Sequence, residues 1–178
     1  MRYRNYYFPF AFNPNTAVDT QQVNGGNLYI DPMDIYRYPE NLSNALALIQ
    51  NTLIDEEEEY IFYSYMSEIA PSVEETQMIT GIRNDEISHH HLFSKIYQDI
   101  TETKAIQLNI NRFVRPASYC EGLKRALLAE QQGIENSRQI LYAMQTRIHI
   151  NMMTEILEDE IRHATLFNYM YTKNDCHL

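Results

Sequence analysis

The sequence predicts an all-α fold: a four-helix bundle of two helical hairpins joined by a long crossover, preceded by an irregular N-terminal arm. Three observations predict it. Glycine and proline are scarce, five and six in 178 residues, and Pro71 and Pro116 are the only prolines after Pro39. From Pro39 onward, apolar residues recur at alternating steps of four and three, the seam of a helix packed in a bundle. Finally, two stretches repeat each other 74 residues apart, 82–97 (IRNDEISHHHLFSKIY) and 156–171 (ILEDEIRHATLFNYMY), matching at Ile, Asp, Glu, Ile, His, Leu, Phe and Tyr.

Taken in order, residues 1–38 are irregular and rich in Tyr, Phe and Asn, with few aliphatic side chains to build a core. Aromatics such as Tyr6, Tyr7, Phe8 and Phe10 are expected to pack on the bundle or on a second subunit. The bundle is expected over 39–173. Its first seam reads Leu42, Leu46, Ile49, Leu53, Glu56, Tyr60, Tyr63, and Pro71-Ser72 ends that helix. Ser72 with Glu75 forms a Ser-x-x-Glu capping box that starts the second helix. That helix carries the seam Ile79, Ile82, Glu86, His89, Phe93, Ile96, Ile100. A linker over 101–117 follows. Ser118 with Glu121 caps the third helix, whose seam is Leu123, Leu127, Glu130, Ile134, Ser137, Leu141, Met144. A turn near 144–146 leads to the fourth, with His149, Met153, Ile156, Glu160, His163, Phe167 and Met170.

Six seam residues are polar where their neighbours are largely apolar: Glu56, Glu86, His89, Glu130, Glu160 and His163. Carboxylates facing one core cost several kcal/mol each unless paired or bound to metal. Their heights agree. Glu56 and Glu86 each lie 15 residues from Pro71, and Glu130 and Glu160 each lie 15 from Gln145. In antiparallel hairpins that puts all four in one layer, about 22 Å from the turns at a rise of 1.5 Å per residue. Each Glu-x-x-His pair, Glu86 with His89 and Glu160 with His163, shares one helix face and can grip one ion. The 74-residue offset selects Glu56 from the acidic run 55–59 and His89 from the run 89–91. Oxygen-rich donors with one imidazole per ion suit iron or manganese better than a structural zinc.

This pattern resembles the ferritin-like di-iron carboxylate superfamily, most closely rubrerythrin-type domains, over about 39–172. The resemblance implies that Glu56 and Glu130 are the single Glu ligands of the first and third helices, with the two Glu-x-x-His pairs completing the site. The run Asp159–His163 also resembles the Asp-Glu-x-Arg-His run of methane monooxygenase and ribonucleotide reductase small subunits. There the Asp orients a ligand His, a role that Asp85 and Asp159 would take here. Rubrerythrins carry an additional Glu one turn after the third-helix ligand; here that position is Gly133, and an acid appears instead as Glu59 on the flank of the first seam. Glu59 and Tyr63 are the candidate catalytic side chains, Tyr63 as a donor of a hydrogen bond or an electron, with core packing as its alternative. Ile87 stands where bacterioferritin uses Met, so no heme is expected. The implied chemistry is a non-heme oxidoreductase acting on hydrogen peroxide or oxygen, a peroxidase first and a ferroxidase second. A structural or coat-type assembly protein, with metal holding the bundle, is the competing reading.

Composition bounds the partners. A formal charge of −10 argues against a nucleic-acid backbone. No apolar run approaches the ~20 residues of a membrane span, so no membrane is expected. Cys120 and Cys176 form no C-x-x-C pair, so no rubredoxin module is expected, and any reductant is expected to be a separate protein. The two are expected to be reduced thiols in a cytoplasmic homo-oligomer, a dimer first, with Cys176 and His177 at a frayed terminus. Seam residue His149 is expected near the bundle end, satisfied by solvent.

Overall fold

The structure, a computed structural model, describes residues 33–106 and 113–176, apart from the side chains of Glu56 and Glu57. The aromatic arm residues Tyr6, Tyr7, Phe8 and Phe10 lie outside the described residues. What is described is all-helical: α1 (Leu42–Glu68), α2 (Val73–Thr101), α3 (Tyr119–Ala143) and α4 (Arg147–Lys173), preceded by a 3-10 turn at Asp34–Tyr36. That turn packs on α3, with Tyr36 against Tyr142 at 5.0 Å between ring centroids.

Each helix start has a local cause. The Ser72 hydroxyl accepts the backbone N–H of Glu75, and the Ser118 hydroxyl accepts that of Glu121, satisfying amides that the first turn leaves free. Thr146 does the same for His149, which places the α3–α4 turn at 144–146 without Gly or Pro.

α1 pairs with α2 and α3, and α4 pairs with α3 and α2. Two apolar layers fill the centre. One joins the start of α1 (Ala45, Ile49, Leu53), the end of α2 (Phe93, Ile96), the end of α3 (Ile140, Ala143) and the start of α4 (Met153, Ile156). The other joins the opposite ends, with Phe62, Tyr63, Met66, Ile79, Ile82, Leu123, Ala126, Phe167 and Met170. α2 therefore finishes in the layer opposite to the one where α3 begins, and α2 and α3 run parallel on a diagonal. Residues such as Phe93 and Phe167 are wholly enclosed, each contributing about 1.5–3 kcal/mol.

The seams of α2 and α4 fall where the heptad pattern puts them. Those of α1 and α3 are rotated. Ala45 rather than Leu46 is enclosed on α1, and Tyr60 points outward at 45% exposure. On α3, Ala126 and Ile140 are enclosed while Leu127 and Leu141 are half-buried. The small Ala residues let the backbones approach, and the larger neighbours move to the flank.

Three expectations fail at the bundle ends. Cys120 and Cys176 are joined in a disulfide, not held as two thiols. The C-terminal turn is anchored too, since the buried carboxylate of Glu75 accepts hydrogen bonds from Asn174 and Tyr119. His149 is 7% exposed and meets Asp99 at 3.2 Å, so a carboxylate rather than solvent satisfies it. No helix among the described residues is long and apolar enough to cross a membrane.

Candidate metal centre

Between the two apolar layers lies a polar one. α2 brings Glu86 and His89, α3 brings Glu130, and α4 brings Glu160 and His163, all at most 6% exposed. The i, i+3 spacing projects each Glu and His from one face of its helix, and the antiparallel pairing brings the faces together at one height. Glu86, Glu130 and His163 offer one donor atom each within 4.8 Å of one another, and so do Glu86, His89 and Glu160. Glu86 is common to both groups. Glu56 belongs to α1, but its side chain lies outside the described residues.

Both imidazoles turn Nδ1 inward. His89 Nδ1 donates to Glu86 Oε2 at 2.8 Å and lies 3.7 Å from Glu160 Oε1. His163 Nδ1 lies 3.0 Å from Glu86 Oε1 and 3.4 Å from Glu130 Oε2. Neither His163 Nδ1 nor Glu86 Oε1 has a hydrogen bond, although both are buried, so the 3.0 Å approach is electrostatic and poorly aligned. Two orphaned ligand atoms this close together fit a cation: an ion bound to both would satisfy both.

The outer nitrogens are held by carboxylates, and the pairing is crossed. His89 Nε2 meets Asp159 at 3.3 Å, and His163 Nε2 meets Asp85 at 3.2 Å, so each Asp serves the histidine of the other repeat. The Arg162 guanidinium donates to both Asp85, at 2.9 Å, and Asp159, at 2.5 Å. One arginine thus ties together the two carboxylates that orient the two rings, fixing Nδ1 as the inward nitrogen. Arg162 was missed as a site residue, although it stands inside the quoted Asp159–His163 run, three residues from the aspartate it clamps.

Electrostatics reflect this crowding. Burial would raise the Glu86 carboxyl, but the His163 and His89 imidazoles beside it pull it down to about 2. Burial opposes the imidazolium form of His163, yet the Glu130 and Glu86 carboxylates overcome it and lift the ring to about 10. His89 is raised in the same way by Glu86 and Asp159 against its burial. Burial, together with the Glu86 charge, raises the Glu130 carboxyl despite its contact with His163. Metal-free, the layer is held by protons.

Further residues bear on the site. Glu59 is half-buried, as a flank position would be, yet burial of its carboxyl and the charges of Glu86 and Glu130 raise it well above the ordinary range. The cause is helical phase: Glu59 lies four residues before Tyr63, which is fully enclosed and shares its face. The Tyr63 hydroxyl donates to Glu130 Oε1 at 2.6 Å, and burial with the nearby carboxylates raises its pKa well above that of a free phenol. Gly133 is also part of the site. A Cβ there would stand 2.2 Å from Glu160 Oε2, so the missing side chain is the space this carboxylate occupies.

Comparison with protein-family models, with curated proteins and with solved structures returned no match to the chain.

Proposed function

We propose that this chain is a ferritin-like dinuclear carboxylate protein that binds two iron or manganese ions and reduces hydrogen peroxide, with oxygen as the alternative oxidant. The observation that carries the reading is Glu86 shared between two buried donor groups, each completed by an imidazole whose far nitrogen is held by an aspartate. Glu86 would bridge. His89 with Glu160, and His163 with Glu130, would hold one ion each, and Glu56 would complete the set from α1.

Such a metal pair, when bound, supplies the two electrons that cleave an oxygen–oxygen bond. The surrounding residues perform the rest. Asp85, Asp159 and Arg162 keep both rings in one tautomer. The Tyr63 hydroxyl donates to Glu130 Oε1, and burial with the Glu86 and Glu130 charges raises the Glu59 carboxyl, so Tyr63 and Glu59 are the groups that would pass protons beside the carboxylates. The enclosing apolar layers exclude bulk water. These layers are extensive on both sides of the site, which favours a fold that persists without metal over a bundle assembled by it.

Elemental analysis of the native protein, followed by anaerobic reduction and exposure to peroxide and then oxygen, tests the proposal. Two irons or manganese per chain with a fast optical change on one oxidant is expected. Zinc alone, or no metal, in a folded and unreactive protein would leave the structural role in its place.

A further inference from the structure

The Cys120–Cys176 disulfide lies in the same apolar layer as Tyr63, on the side of the metal layer that Tyr63 faces. Cys120 is the second residue of α3, ten residues before Glu130, or about 15 Å along the helix axis. That interval is occupied by aromatic and sulfur side chains. Tyr63, bonded to Glu130, stacks on Phe167 at 5.2 Å. Phe167 and Met170 follow one another on the same buried face of α4. The Tyr119 hydroxyl approaches Met170 Sδ at 3.9 Å, and Tyr119 is the chain neighbour of Cys120.

The disulfide is not needed to align its own cysteines. Glu75 Oε2 accepts both from Tyr119, next to Cys120, and from Asn174, two residues before Cys176, each at 2.8 Å. Lys173 meets Glu75 Oε1 at 3.1 Å, and the Cys176 amide donates to the Tyr171 carbonyl. With the bond open, one buried carboxylate still holds both sulfur-bearing segments side by side. Such a pair can open and close repeatedly without unfolding its surroundings. Cys176 is nearly enclosed and Cys120 half-buried, so Cys120 is the sulfur an incoming thiolate can reach.

We propose that Cys120 and Cys176 are the internal two-electron donor of the metal centre. This rests on the peroxide-reducing reading above. Each thiol gives one electron and one proton: two S–H bonds break, the S–S bond forms, the O–O bond of peroxide breaks, and the two protons complete two waters. An external dithiol then reopens the bond by exchange at Cys120 and leaves as its own disulfide.

The test uses the full chain, reduced with dithiothreitol, desalted anaerobically and loaded with iron or, as a redox-inert control, zinc. Two equivalents of hydrogen peroxide are added, one for the two ferrous ions and one for the two thiols, and remaining thiols are alkylated and counted by mass. Iron-loaded protein is expected to lose both thiols as the optical change develops. It should do so at least about tenfold faster than zinc-loaded protein, because a partly buried, unactivated thiol reacts slowly with peroxide by itself. Iron that reacts while both thiols persist, or closure at the same rate with zinc, overturns the relay and leaves a plain cross-link. Failure to bind iron, or bound iron that shows no optical change, removes the metal reading itself, so the two failures are distinguishable.

Discussion

Gly133→Ala separates metal binding from folding at the candidate centre. The new Cβ would stand 2.2 Å from Glu160 Oε2 and 2.9 Å from its Cδ, where ordinary contact needs 3.4 Å or more. The obstacle is the end of a flexible side chain, so the Glu160 carboxylate retreats by over an ångström and α3 stays in place. Metal ligands tolerate displacements of only about 0.2 Å, so the Glu86–His89–Glu160 group loses a donor. That ion should bind at least about tenfold more weakly, while the Glu86–Glu130–His163 ion is retained. Folding moves the other way. Alanine exceeds glycine in helix propensity by about 1 kcal/mol, which raises the metal-free melting temperature by about 2–4 °C in a chain of this size. Titration calorimetry with anaerobic ferrous ion, metal analysis and scanning calorimetry measure the two effects. Unaltered affinity for both ions would refute the placement of Glu160 as a ligand. A large drop in metal-free stability would show that Gly133 serves backbone packing instead.

Three further perturbations probe the same layer. Arg162→Gln releases Asp85 and Asp159 together, so affinity for both ions should fall about 10- to 100-fold while helicity persists, because Arg162 is half-exposed; loss at one ion only would contradict the double clamp. Tyr63→Phe leaves Glu130 Oε1 without its donor, costing about 1–3 kcal/mol of stability, and removes a contact that lowers the Glu130 pKa. Metal uptake should then need a higher pH, and an unmoved uptake curve would speak against it. The metal-free protein should lose stability as pH rises. His163 is at about 10 in the fold against 6.5 for a free ring, so its contribution is complete below 6.5 and is lost through 10, at about 1.4 kcal/mol per pH unit. His89, Glu59 and Glu130, all raised, act in the same sense. Glu86, lowered to about 2 from 4.5, acts oppositely, but only as pH falls through that interval. Metal-free melting should therefore peak near 4.5, fall above it as Glu59 and Glu130 lose their contribution, and fall more steeply past 6.5, whereas metal affinity should grow with pH as the imidazoles deprotonate. Metal-free melting that stays level or climbs from pH 6.5 to about 9 would exclude this network.

The Ser-x-x-Glu pairs determined the Ser72 and Ser118 caps, and local periodicity determined the four helices and the enclosed faces of α2 and α4. There the apolar residues are large and evenly spaced, and the duplicated run states the same face twice. His89 was separable from His90 and His91 for the same reason, because its partner His163 stands at the same helical phase. What depends on how helices cross was not legible. Spacing put Leu46 and Tyr60 on the seam of α1, but the helix is rotated so that Ala45 faces inward and Tyr60 outward. Each Asp was expected to support a histidine; only the approach of α2 to α4 decides that Asp85 supports His163 and Asp159 supports His89. The disulfide closes between residues 56 apart, one opening α3 and one just past α4. Nothing in the chemistry of an isolated cysteine announces such a partner, because proximity across a bundle is a property of packing and not of sequence spacing. Gly133 is the same lesson in reverse: its meaning is the Glu160 carboxylate that fills the space beside it.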